Sequence, residues 1–497
     1  MNLEHDIMST LKIITVALLI PLTGIAAEAQ VDTLRLTLRD CIRMAQEQGP
    51  LGAIAHHAYE ARRSRYASFR AGLLPQLSLQ GDVPGYYSAI NPIVLPDGTT
   101  VFTPQREASS SVNIGLTQKI PFTGGQLSLQ SGLNRIDLMD SKTSYYRARP
   151  LSVSLVQPLF QINTLSWDQD MQDLTYQMAT RQEVEGMEDC ALDATNRYFG
   201  LYLASMNAAN AAFNVAINDT LYRISQGRFN VGRIAENDLL QSELAYLDAK
   251  TQSENANVEL AREEQRVRSA LGIAPGTPIQ LLPPGAIGEV EVDPSQALVQ
   301  AKQNRSDALN FELQVLTAER SVRQARSDNG FNATMTASVG YNQRSPELRE
   351  AYRNLLDQEQ FSVGFTIPVF RWGAGSEAVD AALAEQKSTE VNVTQQRQTF
   401  EQEVLYAANR LNTLRKQVAI AAKSDTIGQR RFEVAKQRYI IGKIDIPILF
   451  IAQSEKDNAR RSNVQTQWDY WSTYYRVRRL TLYDFEGGRP LVEKEEK

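Results

Sequence analysis

The 497-residue sequence predicts an α+β membrane protein of two repeats, each combining long coiled-coil helices with strands of a β-barrel that several copies must share. Three observations carry this prediction. The chain repeats itself, a few strands alternate cleanly between apolar and small polar residues, and the segments between them are helical over far greater lengths than a compact domain holds.

The duplication is read from offsets. Pro158-Leu159-Phe160 is answered by Pro368-Val369-Phe370, and Arg228-Phe229-x-x-Gly232 by Arg438-Tyr439-x-x-Gly442, both 210 residues later. Upstream, Gln48, Ala61-Arg62 and Arg70 align with Asn304, Thr317-Ala318 and Arg326 at an offset of 256, so the first repeat carries 46 additional residues before Pro158. We place the surplus in an extra hairpin within 89–137. The first repeat is drawn over 30–285 and the second over 286–485, followed by a polar tail at 486–497. The Pro/Gly-rich stretch from Leu271 to Pro294 marks the boundary.

At the N-terminus, the apolar run Ile13 to Ile20 follows Lys12 and precedes Ala27-Glu28-Ala29. It is too short to span a bilayer and reads as a secretory signal cleaved after Ala29, with Met8 a candidate start because Glu4 and Asp6 interrupt the basic region. The first helical stretch runs from Thr37 to Leu74. Strands follow at Leu77–Val83 and Leu151–Leu155, and the surplus supplies Ser111–Ile120 and Gln126–Ile136 around the turn Pro121 to Gly125. In the second repeat, Ala333, Met335, Ala337, Val339 and Tyr341 alternate with Thr334, Thr336, Ser338 and Gly340. Phe361, Val363, Phe365 and Ile367 do so with Ser362, Gly364 and Thr366. Apolar outside and small or polar inside is the pattern of a membrane barrel.

Helices are predicted over Leu165–Gly227, Ile234–Leu271, Pro294–Asn329, Gly375–Arg438 and Pro447–Tyr483. Leu192, Phe199, Met206 and Phe213 recur every seven residues, beside Thr195, Tyr202, Ala209 and Ala216, as a coiled-coil seam requires. Gly232 and Gly442 supply the left-handed backbone that reverses each helical hairpin. A few strands cannot close a barrel alone, and open edges in hydrocarbon leave backbone groups unpaired, so other copies must complete the sheet.

A net charge of −5 and a pI near 5.6 give no reason to expect nucleic acid as a partner. Cys41 and Cys190, the only cysteines, read as buried small apolar residues. His56 and His57 are neighbours on a helix whose side chains diverge, a poor metal pair. No phosphate loop or nucleophile–base set is found, so no catalytic residue, metal or cofactor is assigned. Acidic residues sit at helical spacings that suit local pairs, as at Glu263 and Arg266.

In order and duplication, several motifs resemble the TolC-like outer-membrane efflux proteins: Leu36-Thr-Leu-x-x-Cys41-Ile42, Ala71-Gly-Leu-Leu-Pro75, Gln157-Pro-Leu-Phe160 and both Arg-aromatic-x-x-Gly turns. Thr123-Gly-Gly125, Asn163 to Trp167 and the ending Arg478-Arg479-Leu-Thr-Leu-Tyr-Asp484-Phe485 resemble the branch found in Bacteroidetes-type bacteria. The resemblance implies a homotrimer in outer-membrane lipid, a barrel of twelve strands from four per chain, and a periplasmic helical tunnel. The extra hairpin is expected to lie outside the core barrel. As partners it implies a periplasmic membrane-fusion adaptor and an inner-membrane pump of the RND type. Arg228, Phe229, Gly232, Arg438, Tyr439 and Gly442 would form the tips that dock the adaptor. At the entrance, family carboxylates six and nine residues after the second turn glycine are replaced by Ile448 and Ile451. Asp238 keeps the acidic place after the first glycine, and Lys443 and Asp445 are candidates for a pair. An apolar gate built on Ile448 and Ile451 is therefore expected. The rival reading is a secreted coiled-coil scaffold or adhesin without a channel.

Overall fold

The computed structural model describes residues 33–285, 288 and 291–492, so the expected signal segment lies outside the described residues. The first repeat runs β1 (Leu34–Leu36), α1 (Leu38–Glu47), α2 (Pro50–Ala71), β2 (Gln76–Val94), β3 (Thr100–Ile120), β4 (Gly125–Leu138), β5 (Thr143–Leu159), α3 (Thr164–Asn230) and α4 (Glu236–Leu271). It ends with β6 (Ile279–Leu281), and the second runs α5 (Pro294–Asn304), α6 (Ser306–Asp328), β7 (Asn332–Ser345), β8 (Leu356–Thr366), α7 (Ala374–Ile440) and α8 (Ile446–Thr481). A small antiparallel pair, β9 (Tyr483–Asp484) with β10 (Arg489–Pro490), follows and occupies part of the stretch set apart as a tail.

Helix lengths reproduce the duplication. α3 and α7 each have 67 residues and α4 and α8 each have 36, all at the 210-residue offset. A 67-residue helix is about 100 Å long. Local chemistry sets the starts: Thr37 and Asp40 form a reciprocal cap on α1, Asn163 accepts from Ser166 N–H on α3, and Asp293 caps α5.

Two predicted helical stretches are each broken in two. Pro50 disfavours helical backbone at Gly49, which is extended, so the first stretch splits into α1 and α2. Arg305 is extended as well, and the next N–H, of Ser306, bonds the Glu185 carboxylate at 2.9 Å instead of continuing the helix. β1 and β6, which sequence patterning did not reveal, pair in parallel and join the start of the first repeat to its end.

The strands form one antiparallel sheet in the order β2-β3-β4-β5-β7-β8. This corrects the expectation for the surplus hairpin. β3 and β4 are hydrogen-bonded members of the sheet, flanked by β2 and β5, and only the far ends of β2 and β3 run past it as a two-stranded arm. All six predicted strands thus belong to one sheet, where the resemblance implied four per chain for the barrel. Among the described residues, the edge strands β2 and β8 have no neighbour on their outer sides.

Register keeps the two faces separate from strand to strand. Leu77 faces Leu116, Leu116 faces Leu129, Leu129 faces Val153, and Val153 faces Val339. On the other face Ser128 meets Ser154, which meets Ser338. Apolar side chains on the first face stand largely uncovered, Leu79 and Phe361 at 71 % exposure. Large exposed residues also gather where strands give way to helices, at Phe122, Phe160, Phe370 and Trp372, the aromatic level expected at a membrane interface. Among the described residues no helix is long and apolar enough to cross a membrane.

The helices bury their own cores. One joins β1, α1, α3 and α4 around Tyr198 and Phe199, and another joins α5 to α8 around Val404, Leu411 and Val477. The predicted seam is buried at Thr195, Phe199 and Met206, whereas Leu192 is half-buried and Phe213 is exposed along one side. Cys41 and Cys190 are free and buried, and burial pushes their thiols up to about 12 and about 11.

Candidate functional site: the helical tips and the gate

Each long helix ends in the same local structure. Gly232 N–H bonds Phe229 carbonyl at 2.8 Å and Arg233 N–H bonds Arg228 carbonyl at 2.9 Å. Gly442 and Lys443 repeat the pattern on Tyr439 and Arg438, both at 2.9 Å. These are paired Schellman bonds, which require left-handed backbone at the glycine; φ is +70° at Gly232 and +73° at Gly442. The two tips lie together, as the duplicated topology demands.

Their equivalent residues do different things. Tyr439 is buried, and its hydroxyl lies 3.2 Å from the Ser225 hydroxyl on α3. The Arg228 guanidinium stands 5.0 Å from the Tyr439 ring centroid and donates to the Tyr439 and Ile440 carbonyls, each at 3.2 Å. Arg228 and Tyr439 thus fasten one tip to the other. Phe229, Arg438, Val231 and Ile441 are exposed. Of the six predicted docking residues, Phe229 and Arg438 face outward, Gly232 and Gly442 set the turns, and Arg228 and Tyr439 are engaged within the chain.

Behind the second tip, α8 has two unlike faces. Ile446, Leu449 and Ala452 pack with Leu221, Phe432 and Ala435. Ile448 and Ile451 point away from that core and are 49 % and 53 % exposed. Lys443 and Asp445 are exposed, and no ion pair joins them among the described residues, so the candidate pair is not formed within the chain. Lys443 closes the Schellman turn while Asp445 starts α8. Asp238 is half-buried in the first turn of α4, where a carboxylate suits the helix dipole.

One element went unseen in the sequence. Lys456, 7 % exposed, places its ammonium 4.8 Å from the Phe213 ring and 4.7 Å from the Phe432 ring, and 3.1 Å from Asp457 Oδ1. Asp457 also accepts from Asn214 at 2.8 Å. This cluster ties α3, α7 and α8 together above the tips and explains why Phe213 leaves the regular seam. Phe213 and Asn214 lie more than 200 residues from the rest of the cluster in sequence, so no local pattern announces it.

Nothing in this geometry converges on a reacting atom. Among the described residues no three His, Cys, Asp or Glu gather as metal ligands, and His56 instead lies 3.0 Å from the Glu183 carboxylate. The assembly of exposed sheet, long helices and paired tips suits passage and docking.

Comparison with known proteins agrees with this architecture. Residues 297–481, nearly all of the second repeat, match the family described as outer membrane efflux protein. No curated protein sequence matches the chain. Among solved structures, the CmeC outer membrane channel of Campylobacter jejuni is 17 % identical with a TM-score of 0.65, covering 92 % of this chain and 87 % of that one. The outer membrane protein VceC of Vibrio cholerae is 12 % identical with a TM-score of 0.64, covering 90 % and 96 %. The open state of the Neisseria gonorrhoeae MtrE outer membrane channel is 16 % identical with a TM-score of 0.58, covering 89 % and 88 %. At such identities the likeness is one of fold.

Proposed function

We propose that this chain, an outer membrane efflux protein by its second-repeat match and its TolC-like fold, is the passive exit duct of a tripartite export system. The observation that carries the reading is a single one. A sheet with one apolar face and two unpaired edges sits on helices about 100 Å long that end in paired tips. The sheet calls for lipid and for further copies of the chain; the tips call for a partner in the periplasm.

The assembly is a homotrimer, its sheets closed into one barrel and its helices into one periplasmic tunnel. A membrane-fusion adaptor docks on the tips, through Phe229 and Arg438 and the apolar residues beside them, and an inner-membrane pump of the RND type supplies the energy. Thr123-Gly-Gly125 and the ending Arg478 to Phe485 support placing the chain in the Bacteroidetes-type branch. The native mass of the protein extracted from outer-membrane fractions in mild detergent tests the reading. A trimer is expected, whereas a monomer soluble without detergent would restore the coiled-coil scaffold.

Docking makes a separate prediction. At φ near +70° a residue with a Cβ costs about 1–2 kcal/mol, so leucine at both Gly232 and Gly442 strains the tips without touching the sheet. Outer-membrane insertion of the double variant should be normal and export of toxic compounds, read as minimum inhibitory concentration, should fall. Unchanged export would argue against docking at the tips.

A further inference from the structure

The extra hairpin of the first repeat has the two-faced character of membrane staves. On β3, Val112, Ile114 and Leu116 lie on one face, and on β4, Leu127, Leu129 and Leu133 lie on the same one by register. The opposite face carries Asn113, Gly115 and Thr117, which meet Gly132, Gln130 and Ser128. Both faces continue those of β2 and β5 on either side. A hairpin outside the membrane would present this leucine-rich face to water along its whole length.

Position agrees with pattern. The β3–β4 turn is fastened at the helical end of the sheet, where Asn163 donates to the Pro121 carbonyl at 2.6 Å and Gln157 donates to the Thr123 carbonyl at 2.8 Å. Phe122 in that turn is 93 % exposed and joins the aromatic level of Phe160 and Trp372. β3 and β4, at 21 and 14 residues, each exceed the roughly 9–11 residues a tilted strand needs to cross a bilayer.

We infer that β3 and β4 are two additional staves per chain, so that three copies close a barrel of eighteen strands by pairing β8 of one copy with β2 of the next. The inference rests on the trimeric duct proposed above. Six strands per chain leave β2 and β8 running in opposite directions, so each junction between copies continues the antiparallel order. The occupant of both edges is a second copy of this chain, because an unpaired edge is not tolerated in hydrocarbon. Barrel diameter grows roughly linearly with strand number, so eighteen strands give an aperture about half again as wide as twelve. The inner face is small and neutral around Ser128, Ser154 and Ser338, while Arg147, Arg149 and Arg344 share it farther from the helices.

Electron cryo-microscopy of the detergent-extracted full-length protein tests this directly by counting strands in the ring. Eighteen strands in a trimer are expected. A trimeric ring of twelve, with the hairpin outside it, would overturn the inference and leave the duct intact. A monomer would overturn the duct itself. A variant lacking residues 100–142 joins β2 to β5 through the turn at 95–99, and its ring should narrow by about one third. An unchanged ring diameter in that variant would count against the two staves.

Discussion

Arg478→Ala should destabilise the folded chain by about 3–5 kcal/mol, the cost of removing one partner from a buried ion pair. Arg478 meets Glu188 with two parallel bonds, Nε to Oε2 and Nη2 to Oε1, each at 3.0 Å. The side chains are 17 % and 7 % exposed. A third bond reaches Asp484 at 3.3 Å, and the guanidinium lies near the Tyr474 and Tyr475 rings. Burial works against the charge on Arg478, yet the Glu188 pair outweighs it and holds the guanidinium protonated more firmly than usual. Alanine would strand the Glu188 carboxylate beneath α8. Urea unfolding followed through Trp468 and Trp471, which are near this region on α8, should show the loss as a lower midpoint. Lysine should restore only part of it, because an ammonium cannot make the two-pronged contact. Replacing both Arg478 and Glu188 by leucine should cost less than the single change, since the Glu188 carboxylate is then gone and Asp484 keeps the N–H bonds of Glu486 and Gly487. A single variant with the wild-type midpoint would show that the pair contributes nothing.

The Arg478–Glu188 pair also marks where sequence reasoning stops. Helices, turns and duplication were legible because each rests on local pattern: seven-residue spacing, a glycine after an aromatic, a constant offset. The pair joins residues 290 apart, and only packing of α3 against α8 brings them together. The extra hairpin was half legible for the same reason. Alternation marked its strands, but membership of the sheet depends on β5 pairing with β4, and on β2 pairing with β3 across a long excursion. The outer half of β2 was hidden by Pro84 and Pro92, which ordinarily argue against a strand. Pro84 sits at the irregularity between Asp82 and Gly85, on an edge strand, where a missing N–H is harmless. Pro104 on β3 lies beyond Glu107, the last residue that pairs with β4, so its other side carries no ladder to interrupt. The tips were legible as turns, but the division of labour between Tyr439, buried, and Phe229, exposed, was not. Equivalent positions in a duplicated sequence need not have equivalent neighbours.

That asymmetry bears on the gate, where Ile448→Asp combined with Ile451→Asp should turn a closed entrance into a leaky one. Both isoleucines lie on the α8 face turned away from the core of Leu449 and Ala452, half exposed in the single chain, so the substitution should alter stability by no more than about 0.5 kcal/mol. In the proposed trimer the same face is presented three times, and a ring of isoleucines around a narrow pore would close it by excluding water rather than by contact alone. Carboxylates at those places would hydrate the constriction and repel one another, both of which favour opening. Planar-bilayer recordings should find the wild-type channel nearly silent and weakly sensitive to divalent cations, because the proposed gate sets isoleucines where a carboxylate ring would bind them. The double variant should conduct and acquire divalent block, and cells carrying it should become more sensitive to bulky antibiotics excluded by an intact outer membrane. Potent divalent block of the wild type would sink the apolar gate, and so would a double variant that remains closed. Asp238 separates the remaining possibility: if its carboxylate on α4 were the closing group, Asp238→Asn would alter conductance while the isoleucine variants would not.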